Sequence, residues 1–510
     1  MTRVVIRADA SHRIGHGHVM RCLTLGTELR ARGAEVAFVC REHPGHLCDL
    51  VADRGFPVQR LPLAHAQDAQ SDAAWLGASS GEDAAATLAA APGMVDWVIA
   101  DHYAIGAEWE RSVAPGTRKV MVIDDLANRP HECDLLLDQN HVAALESRYD
   151  GLLPASSRRL LGPRFAMLQR EYAALRNSMR ARQTPPVRLL IAFGGADRFD
   201  LTSRCLSAAM SLKRADMEID VVMSGDSPCR EAVEMLAATG AAVRVHHALP
   251  SLAPLIASAD LGIGAGGGTS WERLCLGLPS LVITLADNQR PIAEALARDG
   301  YVVSLGDAAG VGEGAIATAL AALLDALPDR EWSERCMRLV DARGASRVAA
   351  ALMADHDTLL CARPATVADE ALLLEWANDP VNRANSFSPA EITAASHRAW
   401  LAARLGSPSC RIFVVETSDG HPVGQVRLDA GAVGWVIDYS IAPEHRGCGL
   451  GNRLLRAALA AFASAEPHAR LIGVVKGDNE ASNGVFARLR FAREQAGETV
   501  RWTASTDALS

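Results

Sequence analysis

The chain has 510 residues, enough for about three domains because a single core stops growing near roughly 250–300 residues, and its 49% hydrophobic and 22% charged composition is that of an ordinary α/β enzyme. A formal charge of −9 without a long basic run argues against a nucleic-acid or anionic-membrane partner. No apolar stretch approaches the roughly 18 residues of a membrane span, the MTRVVIRADA start lacks signal-peptide order, and eleven scattered cysteines without a Cys-x-x-Cys pair read as reduced thiols, so a cytoplasmic protein without metal is expected.

Short β-branched runs at Val4 to Arg7, Trp97 to Asp101 and Val120 to Asp124 predict buried parallel strands, each followed by turn or helix signals. After the charged, Pro-containing segment Arg176 to Pro186 the rhythm restarts, with strands near Leu189 to Phe193, Ile219 to Met223, Val243 to His246, Leu261 to Gly264 and Leu281 to Thr284. A long helical segment around Glu331 to Asp355 closes this half. From about Cys361 the order changes to helix, helix, then strands at Arg411 to Thr417, Val423 to Leu428 and Gly434 to Ile441, a Gly-rich turn and the helix Asn452 to Phe462. The expected architecture is α/β, with two Rossmann-like domains at 1–175 and 176–355, followed by an α+β domain at 356–510.

Three loops carry candidate chemistry. The first, Ser11 to His18, leaves the first strand and enters a helix, and ligands of open α/β sheets sit at such strand ends. Gly15 and Gly17 would let backbone approach a substrate, the helix start offers free N–H donors, and the imidazole of His18 is suited to take a proton from water. Asp101-His102-Tyr103 and Asp124-Asp125 end two other strands and could converge on the same cleft, although the last two could equally be helix caps.

The second loop, Gly264 to Glu272, passes through Gly267, Gly268, Thr269 and Ser270 into a helix, a cradle for diphosphate oxygens, with Glu272 one turn on to meet a ribose diol. The third lies between Ile441 and the helix at Asn452: Arg446-x-x-Gly449-x-Gly451, with Gly447 inside it, forms a nest for a pyrophosphate beside a cationic side chain.

In that order, Ile14 to Arg21, Asp101 to Tyr103, Ile123 to Asp125 with Cys133 to Asn140, Leu161 to Pro163, and Gly194 to Asp197 resemble the UDP-2,4-diacetamido-2,4,6-trideoxy-β-L-altropyranose hydrolases of pseudaminic acid biosynthesis, over about residues 1 to 350. The resemblance implies a GT-B type fold in which water replaces the acceptor and the anomeric C–O bond breaks with inversion. It places the general base on His18 and carries Tyr103 over as a sugar-contacting residue; Asp101 is taken as catalytic with them, and Gly15, Gly17 and Arg21 as substrate-binding positions. The Gly264 to Glu272 segment also looks like the nucleotide motif of MurG-type glycosyltransferases, with Asn288 and Gln289 in the loop that follows it. A true glycosyltransferase, or a hydrolase for a related sugar of the legionaminic type, is therefore the alternative reading.

The Arg446 loop, followed by Asn479, Ser482, Phe486 and Leu489 to Phe491, resembles the GNAT acetyltransferases, which implies acetyl-CoA as co-substrate held by Ile441, Arg446, Gly447, Gly449, Gly451, Asn479 and Ser482. Trp376 to Pro380 with Arg383, Ser386 and Phe387 looks like the substrate-facing start of the acetyltransferase of the same sugar pathway. Phe486 stands where many relatives have an acidic Tyr, so the proton donor is unassigned, and Glu416, Asp438 and Tyr439 are all candidate bases for a sugar amine. The resemblances imply UDP-amino sugars and acetyl-CoA as ligands and consecutive acetylation and hydrolysis; a regulatory or protein-acetylating third domain is the rival reading.

Overall fold

The computed structural model describes residues 2–63, 75–179, 187–194, 197–225, 227–240, 242–247, 249–326, 329–353, 360–386, 388, 390–417, 420–446 and 449–509. The chain forms two compact units, Met1–Ala349 and Ala350–Ser510.

The first unit contains two parallel sheets. One comprises β1 (Arg3–Ala8), β2 (Glu35–Arg41), β3 (Val58–Leu61), β4 (Val95–Asp101), β5 (Thr117–Ile123), β6 (Leu135–Asp138) and β7 (Arg158–Leu161) in the order 3-2-1-4-5-6-7. The other comprises β8 (Val187–Ala192), β9 (Met217–Met223), β10 (Val243–His247), β11 (Leu261–Ala265), β12 (Ser280–Thr284) and β13 (Val303–Asp307) in the order 10-9-8-11-12-13. Both orders reverse beside the first strand, between β1 and β4 and between β8 and β11. At such points neighbouring loops diverge to opposite faces and leave a crevice for ligand. The central strands are buried on both faces, which is why they read as continuous apolar runs.

The segment expected as one helix from Glu331 to Asp355 is two, Arg330–Leu339 and Gly344–Met353. The break falls where Ala342 takes φ +62° and Asp341 receives the backbone N–H of Arg343 and the guanidinium of Arg347. The second helix returns to the first sheet's half: Arg347 donates to the Arg164 carbonyl at 2.7 Å and Arg32 donates to Ser346 at 3.0 Å. Gly344 makes this close approach possible, since a Cβ there would lie 2.1 Å from the Ala166 oxygen. Gly344→Ala should therefore destabilise this unit by about 1–3 kcal/mol or more, read as a lower urea midpoint.

The second unit is a mixed sheet of β14 (Leu360–Pro364), β15 (Cys410–Thr417), β16 (Pro422–Gly431), β17 (Gly434–Ile441), β18 (Arg470–Lys476), β19 (Ala492–Ala496) and β20 (Thr499–Ser505) in the order 14-15-16-17-18-20-19. It opens on β14, an edge strand antiparallel to β15, where the sequence suggested a helix. Three helices, Glu370–Asn378, Pro380–Asn385 and Ala394–Leu405, then precede β15. The helix predicted at Asn452 to Phe462 spans Gly451–Ala465 and buries Leu454, Leu455, Leu459 and Phe462. The first unit is thus α/β, with two Rossmann-like parallel sheets, and the second is α+β on one mixed sheet. Among the described residues no helix is long and apolar enough to cross a membrane.

Candidate active sites

At the switch point of the first sheet, the loop after β1 and the end of β4 bring His18 and Asp101 together. His18 lies in the first turn of the helix Gly17–Ala31, Asp101 is the last residue of β4, and their Nδ1 and Oδ1 atoms are 2.6 Å apart although 83 residues separate them. Asp101 is fully buried and His18 is 6% exposed. Arg21, one turn along the helix, donates from Nε to Oδ2 and from its terminal nitrogen to Oδ1, both at 2.6 Å, and reaches Asp125 at 3.1 Å. Burial opposes ionisation of Asp101, but the Arg21 and His18 charges outweigh it and hold the carboxylate well below its usual range. An ionised Asp101 accepts a proton-bearing Nδ1, so the lone pair of neutral His18 lies on Nε2. That tautomer is the one a general base needs.

The ring of Tyr103 meets His18 edge-on with centroids 4.7 Å apart, and its hydroxyl accepts a hydrogen bond from Asn288 at 3.0 Å. Burial, reinforced by Asp125, pushes the phenol up and keeps it protonated. Tyr103 and Asn288 come from opposite halves of the unit, so this bond spans the cleft. Gly15 takes φ +84° and has open space where a Cβ would stand, as does Gly17.

Behind this layer, Asp9 pairs with Arg7, and His43 and His102 each bring Nε2 to 3.6 Å from its Oδ2. Burial pushes His102 down to about 3 against the pull of Asp9, whereas an unfolded histidine titrates near 6.5. Neutral His102 therefore contributes stability that is present above about pH 6.5 and lost as pH falls toward about 3. His102→Gln should flatten the fall of the urea midpoint across that window.

In the second half, the Gly266–Gly268 turn after β11 enters the helix Thr269–Cys275. Gln289 lies against this turn: a Cβ on Gly267 would meet its Nε2 at 3.4 Å, and its Oε1 accepts from Leu285 N–H. The Ser270 hydroxyl, expected in the cradle, is buried and bonds the Ala265 carbonyl instead. The Thr269 hydroxyl accepts from Arg273 at 3.1 Å. Arg273 lies beneath the loop, donating also to the Ala265 carbonyl at 2.8 Å, and burial pushes it down to about 10. Glu272 shares a hydrogen bond with the Tyr172 hydroxyl, and burial pushes its carboxyl up.

In the mixed sheet, β17 and β18 are the parallel pair and are joined only from Trp435↔Leu471 to Ile437↔Gly473. Beyond that rung each stays paired on its outer side, β17 with β16 to Ile441 and β18 with β20 to Lys476. The strands thus splay beyond Ile437 and Gly473 and leave a wedge between them. At its mouth, Gly449 takes φ +70° with open space at its Cβ position, and the helix Gly451–Ala465 begins. Gly451 packs closely, a Cβ there lying 2.8 Å from Val485. Gly447 lies outside the described residues, as do Gly195, Ala196 and Phe387. Arg446 is not simply turned to a ligand: it pairs with Asp379 at 2.6 Å and donates to the Ile441 carbonyl, so it ties the loop to the start of the helix Pro380–Asn385. Asn479 caps the helix Glu480–Arg488 by accepting from Ser482 N–H.

Residues 360–492 match the family model of the acetyltransferase (GNAT) domain. The region before it is similar to the UDP-2,4-diacetamido-2,4,6-trideoxy-beta-L-altropyranose hydrolase of Campylobacter jejuni, 26% identical over 302 residues, 59% of this chain and 98% of the relative. It is also similar to the spore coat polysaccharide biosynthesis protein SpsG of Bacillus subtilis, 28% identical over 193 residues, 38% of this chain and 57% of that protein. Among solved structures, Acinetobacter baumannii MurG covers 69% of this chain and 99% of its own at 15% identity and a TM-score of 0.49. A Vibrio cholerae spermidine N-acetyltransferase in complex with CoA and spermine covers 30% of this chain and 98% of its own at 19% identity and a TM-score of 0.27.

The GNAT region also resolves its three candidate bases into different settings. Glu416 is clamped by Arg363 at 2.8 Å, Asp438 pairs with Arg427 at 2.8 Å on the exposed side of β17, and Tyr439 sits inside the wedge. Arg273 and Tyr172 were not among the residues singled out from sequence. A signal for Arg273 was present in the alternating Gly262 and Gly264 of β11, since a Cβ on Gly264 would lie 2.7 Å from its guanidinium. Asp197, Asp200 and Cys229 lie close enough to share an ion, but Asp197 already accepts from Leu201 and Thr202 N–H.

Proposed function

We propose that the chain is a bifunctional nucleotide-sugar enzyme. Its GNAT domain transfers acetyl from acetyl-CoA to the 4-amine of UDP-4-amino-4,6-dideoxy-N-acetyl-β-L-altrosamine, and its first unit hydrolyses the resulting UDP-2,4-diacetamido sugar to UDP and free sugar. The observation that carries the hydrolytic half is the buried Asp101–His18 pair, whose tautomer leaves Nε2 to receive a proton. In this reading a water bound at His18 Nε2 loses its proton as its oxygen attacks the anomeric carbon, the C–O bond to UDP breaks on the opposite face, and the configuration inverts. Tyr103 and Asn288 hold the sugar between the halves, while the Gly266–Gly268 turn and the Thr269 helix start receive the diphosphate. The acetyl-CoA wedge lies between β17 and β18, and tethering both activities on one chain raises the local concentration of the intermediate.

The test is the full chain with the UDP-4-amino sugar, followed by proton NMR with and without acetyl-CoA. The reading predicts an acetylated nucleotide sugar and then UDP plus free diacetamido sugar, with both steps requiring acetyl-CoA. UDP release with transfer of the sugar only when an acceptor is added would point to a glycosyltransferase, and acetyl-CoA binding without amino-sugar acetylation would point to a regulatory third domain.

A further inference from the structure

We propose that Tyr439 is the general acid of the acetyl transfer, giving its hydroxyl proton to the departing CoA thiolate; this rests on the acetyltransferase reading above. Amine attack on the thioester forms the C–N bond and a tetrahedral intermediate, and the C–S bond then breaks. Sulfur takes the proton of Tyr439, the new amide nitrogen loses one to water, and solvent returns a proton to the tyrosinate through Ser482. The products are the acetamide and neutral CoA thiol.

Three observations support the assignment. First, Tyr439 lies two residues past the last paired rung of β17 and β18, inside the splay where a thioester drawn between the strands would end. Second, its hydroxyl is 3.1 Å from Ser482 Oγ on the helix Glu480–Arg488, and its ring stands edge-on to Phe486 at 6.0 Å, so the phenol is held on the side that this helix covers. Hydroxyl rotors reorient freely. In this structure Tyr439 donates to Ser482 Oγ; rotation of the two hydroxyls once acetyl-CoA is bound lets Ser482 donate to Tyr439 and turns the phenol proton to sulfur. Third, the other positions weighed for proton transfer are spoken for. Phe486 has no proton to give and is sealed over Gly473 against Phe491 and Trp502. Glu416 and Asp438 are paired with Arg363 and Arg427, and Glu416 belongs to β15, two strands from the gap. Burial also pushes the Tyr439 hydroxyl up, which keeps it protonated at neutral pH.

The test compares wild type and Tyr439→Phe as full chains, following CoA thiol release with the UDP-4-amino sugar as acceptor and measuring CoA affinity by calorimetry. Acceptor-dependent thiol release by wild type establishes the transfer itself; its absence overturns that reading and the assignment with it. Given wild-type turnover, the variant should lose about 10²- to 10⁴-fold in kcat. Its CoA affinity and the KM for acetyl-CoA should be unchanged, and the alkaline fall of the wild-type rate, from loss of the phenol proton, should vanish. Wild-type kcat in the variant, or a loss matched by lost CoA binding, would overturn the assignment.

Discussion

His18→Ala should lower UDP release from the diacetamido nucleotide sugar by about 10²- to 10⁴-fold, the range a positioned general base supplies, while UDP affinity and acetyl transfer stay at wild-type levels. The separation follows from where the groups sit. His18 belongs to the first sheet's switch point, the expected diphosphate cradle lies after β11 in the second sheet, and the wedge between β17 and β18 proposed for acetyl-CoA belongs to the other compact unit. Loss of the imidazole also removes the ring that meets Tyr103, so a modest rise in KM is expected with the fall in kcat. Steady-state UDP release, UDP calorimetry and acetyl-transfer rates on one preparation check all three parts. A variant that loses UDP binding and hydrolysis together would show His18 to be a structural residue.

Asp101→Asn is the second large effect. The change keeps size and shape but removes the charge that accepts His18 Nδ1–H and both Arg21 nitrogens. An asparagine can present N–H to Nδ1, which favours the tautomer with its proton on Nε2, where it cannot act as base. The corresponding change in serine-protease triads lowers kcat about 10⁴-fold, and a loss on the order of 10³–10⁴ is expected here, with little change in KM. Arg21 would keep Asp125 as its anionic partner, so the fold should survive and the circular dichroism spectrum should match wild type. Because Arg21 and His18 hold Asp101 ionised well into acid, its own titration should leave no limb in the pH–rate profile of wild type near neutrality.

Much of this arrangement was legible before the structure. Strands β1, β4, β5 and β11 announce themselves because their apolar runs are buried and end in, or lead directly into, Asp or Gly (Asp9, Asp101, Asp124 and Gly266), where polarity changes abruptly. Short or half-buried strands such as β3 and β13 carry no such contrast. The pairing of His18 with Asp101 could be anticipated because both stand at carboxyl ends of strands flanking one switch point. The bidentate grip of Arg21 could not, since it depends on helix phase relative to β4. The same holds for Glu272, whose spacing suggested a ribose partner but whose carboxyl meets Tyr172 from a helix about 100 residues earlier. Arg446 reads as an open cation in sequence; only tertiary structure brings it to Asp379. Composition and motif order thus report which backbone turns are present, while the direction of each long polar side chain is settled by packing.

The most direct test of the central claim is hydrolysis of the UDP-2,4-diacetamido sugar in ¹⁸O-labelled water without any acceptor, with the products analysed by mass spectrometry and NMR. Attack by a water deprotonated at His18 predicts UDP release, ¹⁸O at the anomeric carbon of an inverted sugar, and none in UDP. Label in the diphosphate, retained configuration, or no release until an acceptor is added would contradict it.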